Sequence, residues 1–185
     1  NHQQPLLSQN QMVIKPVDQV VCPEAVYLLS QIRHPALPAL RGVEAISLEG
    51  QPPRDCFLFD FLPGTSLNHL VKSEVPEWTL PAQIRFFAEL ARIVDFLHVQ
   101  CQPGLLHLDI KPANVLFGPD QRPRLIDFGA MQFQRPNPPD EASTGAAAAA
   151  GSGQDMAFTP GFAAPEVLQG RPVMASDVYA IALTS

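Results

Sequence analysis

Between Leu105 and Ala130 the chain places Asp109, then Asn114 five residues on, then Asp127 a further thirteen on, with Lys111 two residues after Asp109. Two short apolar runs lie between these polar groups, Val115-Leu116-Phe117 and Leu125-Ile126. Gly118-Pro119-Asp120 separates the runs as a turn, so the stretch reads as a hairpin with metal-competent polar groups at both ends. Few folds and few chemistries accommodate that arrangement.

The hairpin sets Asp127, where the second strand ends, beside Asn114, where the first begins. A carboxylate and an amide oxygen are hard ligands, suited to Mg²⁺ that keeps some of its waters and is shared with phosphates. Asp109 is offset from that pair and free to accept a proton from a hydroxyl. Lys111 can neutralise charge developing on a transferred phosphoryl group. Phosphoryl transfer needs mostly positioning and charge stabilisation, which these four groups can supply.

His107-Leu108-Asp109-Ile110-Lys111-Pro112-Ala113-Asn114, followed by Asp127-Phe128-Gly129 and downstream Ala164-Pro165-Glu166, resembles the catalytic loop, metal motif and segment end of protein kinases. Lys111-Pro112 is similar to the serine/threonine branch, and the wording around it to bacterial serine/threonine kinases. The resemblance implies an α+β, two-lobed fold with a small β-rich N-lobe and a mainly helical C-lobe. It implies ATP and Mg²⁺ as cofactors and a protein with a Ser/Thr acceptor as partner. By it, Asp109, Lys111 and Asn114 are catalytic, Asn114 and Asp127 hold metal, and His107 is structural.

Other stretches take their roles from the same resemblance. Met12-Val13-Ile14-Lys15 reads as a strand, and Lys15 matches the lysine that contacts the nucleotide's phosphates. Pro23 opens a helix with Val26, Leu28, Leu29 and Ile32 on its apolar side, stopped by His34-Pro35. Glu24 is its one candidate partner for Lys15, although it lies closer to Lys15 than the family's spacing and sits where helix dipoles favour glutamate anyway. Val43–Leu48 and Cys56–Leu62 read as strands. The second runs into Pro63-Gly64 and resembles the hinge, with Phe59 behind adenine and the Asp60 C=O and Leu62 N–H bonding it.

Thr79 and Pro81 mark the start of a long helix whose apolar residues form two ridges. Ile84, Phe87, Ala91 and Val94 make one, and Phe86, Leu90, Ile93 and Leu97 the other, so the helix is expected to be buried on much of its circumference. From Met131 to Phe158, prolines and then alanines between glycines point to a flexible insertion in the activation segment. After it, Thr159 to Glu166 resembles the substrate-docking loop, with Thr159 bonding near Asp109 and Lys111. Ser176-Asp177 reads as a helix start, and Asp177 matches the carboxylate that braces the catalytic loop.

Organisation follows as residues 1–11, a polar segment; 12–62, part of an N-lobe with the hinge; and 63–185, part of a C-lobe with an activation segment over 127–166. The glycine-rich loop expected before Met12 and the helices expected after Ser185 are not in the sequence, so the resemblance covers the middle of a kinase domain. Alone, such a chain is expected to leave a sheet edge and the Val178–Leu183 stretch uncovered. Leu108 stands where many kinases carry an arginine that clamps a phosphorylated loop. Phosphorylation at Ser143, Thr144 or Ser152 is therefore not expected to be the main switch.

Composition narrows the alternatives. A net charge of −6, with no run of Lys or Arg, argues against nucleic acid or an anionic membrane as partner. No apolar run is long enough for a membrane span, and no signal peptide opens the chain. Cys22, Cys56 and Cys101 are odd in number and widely spaced, which reads as reduced thiols in a cytoplasmic setting. A small-molecule phosphotransferase shares the Asp and Asn pattern, but Lys111-Pro112 and the Ala-Pro-Glu segment argue against it. A pseudokinase or signalling scaffold is the non-enzymatic alternative.

Overall fold

The computed structural model describes residues 11–17, 23–47, 52–70, 78–133 and 159–185, without the side chains of 23–25. The expectations for residues 1–10, Cys22, Leu48, the Glu24 side chain, Ser143, Thr144 and Ser152 lie outside the described residues, as does most of the expected insertion. The chain divides into two compact units, Asn1–Pro63 and Gly64–Ser185.

In the first unit, strands β1 (Met12–Pro16), β2 (Leu40–Ile46) and β3 (Arg54–Asp60) form an antiparallel sheet in the order β1-β3-β2. β3 supplies buried Cys56, Leu58 and Phe59, and it pairs Lys15 with Phe57. β2 starts three residues earlier than expected from the apolar pattern, because Leu40 pairs with Phe59 across an irregularity at Arg41. Arg41 grips the Asp60 carboxylate with two hydrogen bonds of 2.6 Å, which lifts the guanidinium pKa further. Helix α1 (Pro23–Gln31) lies against β2 and buries Leu29, with Ile32 buried just beyond its end.

The second unit opens with β4 (Thr65–Ser66), which pairs with β6 (Val115–Phe117), itself paired with β7 (Pro123–Leu125). Gly64 is required for that approach, since a Cβ there would sit 2.9 Å from the Phe117 carbonyl oxygen. A short turn of helix, α2 (Leu67–Leu70), follows β4. The long helix α3 (Leu80–Asp95) continues as a wider π turn over Phe96–Gln100 and packs against β7. Trp78, Phe86 and Phe117 stack edge-on and face-on where its first turns meet β6.

Only one of the expected ridges of α3 is fully buried. Phe86, Leu90, Ile93 and Leu97 are inside, together with Val94, whereas Ile84 and Ala91 face solvent. The described elements against it, β6, β7 and α5, leave Ile84 and Ala91 uncovered. Thr79 makes no side-chain cap; its carbonyl accepts the Gln83 N–H instead. The first residues of the stretch expected as an insertion are ordered into a sheet. Gln132–Phe133 is a strand, β8, paired with β5 (Leu105–Leu106).

Beyond the undescribed stretch come α4 (Pro165–Leu168) and α5 (Met174–Thr184). α5 starts two residues before Ser176, which becomes an internal residue whose hydroxyl accepts the Val173 N–H. Ala180 and Ile181 are buried and Val178, Tyr179, Ala182 and Leu183 exposed, so the terminal apolar stretch is covered only in part. This helical unit and the β-rich first unit make the α+β mixture expected from the sequence.

Candidate active site

Every residue that the sequence places in the catalytic loop falls in the second unit, on backbone that is neither helix nor strand. β5 delivers the chain to His107, and β6 begins directly after Asn114. Leu108 and Asp127 both hold positive φ, 62° and 69°. For a non-glycine residue that region is unfavourable and persists only where the surroundings enforce it.

Asp177 supplies the enforcement for Leu108. It is completely buried near the start of α5, and its carboxylate accepts the His107 N–H at 2.9 Å and the Leu108 N–H at 2.8 Å. His98, buried in the π turn, bonds the same carboxylate at 2.8 Å through Nε2. A buried carboxylate needs such donors to offset lost hydration. Asp177 thus fixes the loop by its backbone, whatever side chain position 108 carries.

His107 ties the loop to the second half of the hairpin. Its Nδ1 accepts the Asp109 N–H, and its Nε2 donates to the Ile126 carbonyl at 3.2 Å. Those two bonds require the neutral ring, and full burial lowers its pKa accordingly, against the opposing pull of Asp177, Asp109 and Asp127.

The Asp109 carboxylate is crowded with donors. Oδ1 accepts Thr159 Oγ1 at 2.6 Å and Lys111 Nζ at 3.1 Å. Oδ2 accepts Lys111 Nζ and Asn114 Nδ2, each at 2.8 Å. Lys111 also donates to Thr159 Oγ1 at 2.7 Å. A carboxylate offers about four lone-pair sites, so in this state the group is saturated rather than free. Nothing in the order of residues signals that saturation.

Asn114 is buried and its backbone carbonyl receives the Ile126 N–H at 3.0 Å, which puts Asp127 next in line. Asp127 Oδ1 accepts the Gly129 N–H. The described residues hold no cluster of three or more His, Cys, Asp or Glu suited to a metal. An amide oxygen and a carboxylate nevertheless fit Mg²⁺, which takes only one or two protein groups and completes its shell from water and phosphate.

The segment holding Thr159 is fastened further along. Thr159-Pro160-Gly161-Phe162 is a turn in which the Phe162 N–H returns to the Thr159 carbonyl and Gly161 takes φ 94°. Glu166 in α4 accepts the Ser176 hydroxyl at 2.6 Å, tying α4 to α5. In the first unit, Lys15 lies mid-strand in β1, Asp60 ends β3, and Leu62 follows it half-buried.

With this geometry in view, comparison with known proteins decides the family. The profile for the protein kinase domain matches residues 10–185. The chain belongs to the protein kinase domain family. Relatives include an LRR receptor-like serine/threonine-protein kinase, FEI 2, of Arabidopsis thaliana, 30% identical over 82% of the chain. Receptor-interacting serine/threonine-protein kinase 3 of Homo sapiens is 34% identical over 72%, and serine/threonine-protein kinase B of Synechocystis 35% over 78%. The chain spans 23%, 24% and 26% of those relatives' lengths. Among the described residues no helix is long and apolar enough to cross a membrane.

His98 was missed by sequence reasoning. A single histidine inside the apolar run Leu97-His98-Val99 was the available signal, and it is a weak one, because a buried histidine has many possible partners.

Proposed function

We propose that the protein catalyses ATP-dependent phosphoryl transfer to Ser/Thr hydroxyls of proteins. The observation that carries this reading is the network of Asp109, Lys111, Asn114 and Thr159, all joined by hydrogen bonds of 3.1 Å or less. Membership of the kinase family and relatives named as serine/threonine kinases support it.

Asp109 is the proton acceptor. Lys111 moves from its carboxylate to the transferred phosphoryl group, freeing lone pairs for the substrate hydroxyl. Asn114 and Asp127 hold Mg²⁺, which supplies charge neutralisation on the phosphates when bound. Thr159 keeps the docking segment in register with Asp109. Following the family pattern, Lys15 contacts the nucleotide's phosphates with Glu24 as its ion-pair partner, and the Asp60 carbonyl and Leu62 N–H bond adenine.

Transfer of labelled γ-phosphate from Mg²⁺-ATP to a protein acceptor by the full-length protein tests this. Phosphoserine or phosphothreonine in the product is the expected result. Nucleotide binding without any transfer would favour the scaffold reading, and labelling of small molecules alone the small-molecule phosphotransferase.

A further inference from the structure

We propose that Leu108 is a positioning residue, the catalytic loop's contribution to an apolar latch that fastens the segment ending at α4 to that loop without any charged group. For the kinetic effects below, the inference rests on the function proposed above.

The neighbours of Leu108 in sequence are polar and bonded elsewhere: the His107 ring reaches the Ile126 carbonyl, and the Asp109 carboxylate takes Thr159, Lys111 and Asn114. Leu108 itself is 8% exposed and belongs to one buried cluster with Leu106, Ala164 and Val167. Ala130, Ala163 and Met174 pack against that cluster. It therefore joins the loop, the residue after Gly129, α4 with its approach, and the first turn of α5. No side chain in it carries a charge or a hydrogen-bonding hydrogen.

The backbone makes this placement possible. Positive φ at Leu108 is unfavourable for leucine, and it is enforced by the Asp177 carboxylate on the Leu108 N–H. The left-handed turn separates the direction of residue 108 from that of residue 109. One short loop thereby offers Asp109 to Thr159 and Leu108 to the cluster that holds Ala164 and Val167. The segment is fastened twice, by a polar contact at Thr159 and an apolar one five to eight residues later. An apolar latch is closed as soon as the chain folds, so its state is independent of phosphate on the segment.

Hydrogen exchange on the full-length protein reads the latch directly. The Val167 and Leu168 amides bond the Ala164 carbonyl, and the Val115–Phe117 strand serves as an internal reference. In Leu108→Ala, exchange at residues 167 and 168 should accelerate at least about tenfold, the scale expected for emptying a buried leucine site. The reference strand should not change. Leu108→Met should restore wild-type protection, and phosphatase treatment of the wild type should leave it unaltered. The KM for a peptide acceptor should rise several-fold in Leu108→Ala, with the KM for ATP constant.

Unchanged exchange in Leu108→Ala, or loosening of wild-type α4 by phosphatase alone, overturns the proposal. So does an equal rise in both KM values. If Leu108→Ala exchanges rapidly everywhere, it has unfolded, and Val167→Ala tests the same contact from the other side with the same expected pattern. A wild type that transfers no phosphate overturns the kinase reading, while the exchange data still decide the latch.

Discussion

Lys15 and Asp109 both carry charges on which the proposed reaction depends, yet the chain holds them in different ways. Lys15 sits in β1, an outer strand of its sheet, where the ladder to β3 fixes the backbone whatever the side chains are. Around it Met12, Val13 and Ile14 are each about half exposed, Val13 at 46%. Asp109 sits on backbone with no ladder at all. Its place depends on specific side chains: His107 and Asn114 from the loop itself, and Asp177 and Thr159 from distant parts of the unit. A ladder tolerates substitution because its bonds are peptide to peptide. A loop held by side chains passes each substitution on to its neighbours.

The largest effect should come at the loop. Asp109→Asn should lower kcat by about 10²- to 10⁴-fold, the usual worth of a positioned base, with ATP affinity nearly unchanged. Asp127→Asn should instead weaken Mg²⁺-ATP binding. Turnover and nucleotide affinity measured separately decide it, and equal loss of ATP affinity in the two variants would refute the division of roles.

Asp177→Ala tests the brace. It strips acceptors from the His107 and Leu108 N–H groups and from His98, all inside the unit. The expected loss is about 3–5 kcal/mol, the scale for removing one partner from a buried ionic or hydrogen-bonded set. Denaturant unfolding measures it. A loss below about 1 kcal/mol would show that the loop is fixed by something other than this carboxylate.

A smaller effect should follow pH. Burial holds the folded-state pKa of His107 below its ordinary 6.5. The unfolded chain therefore binds the proton first. The stability contribution of the neutral ring is present above about pH 6.5 and declines as pH falls below it. His107→Asn should flatten that acid limb in a melting series. An unchanged limb would assign the acid loss to other groups.

The smallest effect should lie in β1. Val13→Thr, on the exposed strand, should change stability by no more than about 0.5 kcal/mol. A loss of 2 kcal/mol or more would mean that Val13 is covered in the full-length protein, and the contrast between ladder and loop would then need redrawing.

Much of the architecture was legible because its causes are local. The strand at Met12, the helix opened by Pro23 and the hairpin around Gly118 follow from residues within one turn or pair of strands. Element ends were less legible. β2 began at Leu40 rather than Val43, and α5 at Met174 rather than Ser176, since cross-strand pairing and end packing extend an element past its own pattern. Ile84 was expected inside on helical spacing, but spacing names a face without saying what covers it.

The sequence by itself determined which chemical groups stand in the loop, their order along the hairpin, and the Pro160-Gly161 turn, whose positive φ at Gly161 glycine adopts without strain. Tertiary structure alone decided three other things. It brought Asp177 to the His107 and Leu108 amides from 70 and 69 residues away. It filled the lone pairs of Asp109, and it turned Leu108 from a missing charge into a buried contact. The reason is range. Dihedral preferences and side-chain periodicity act over a few residues, whereas a buried polar group must find its partner wherever packing places one.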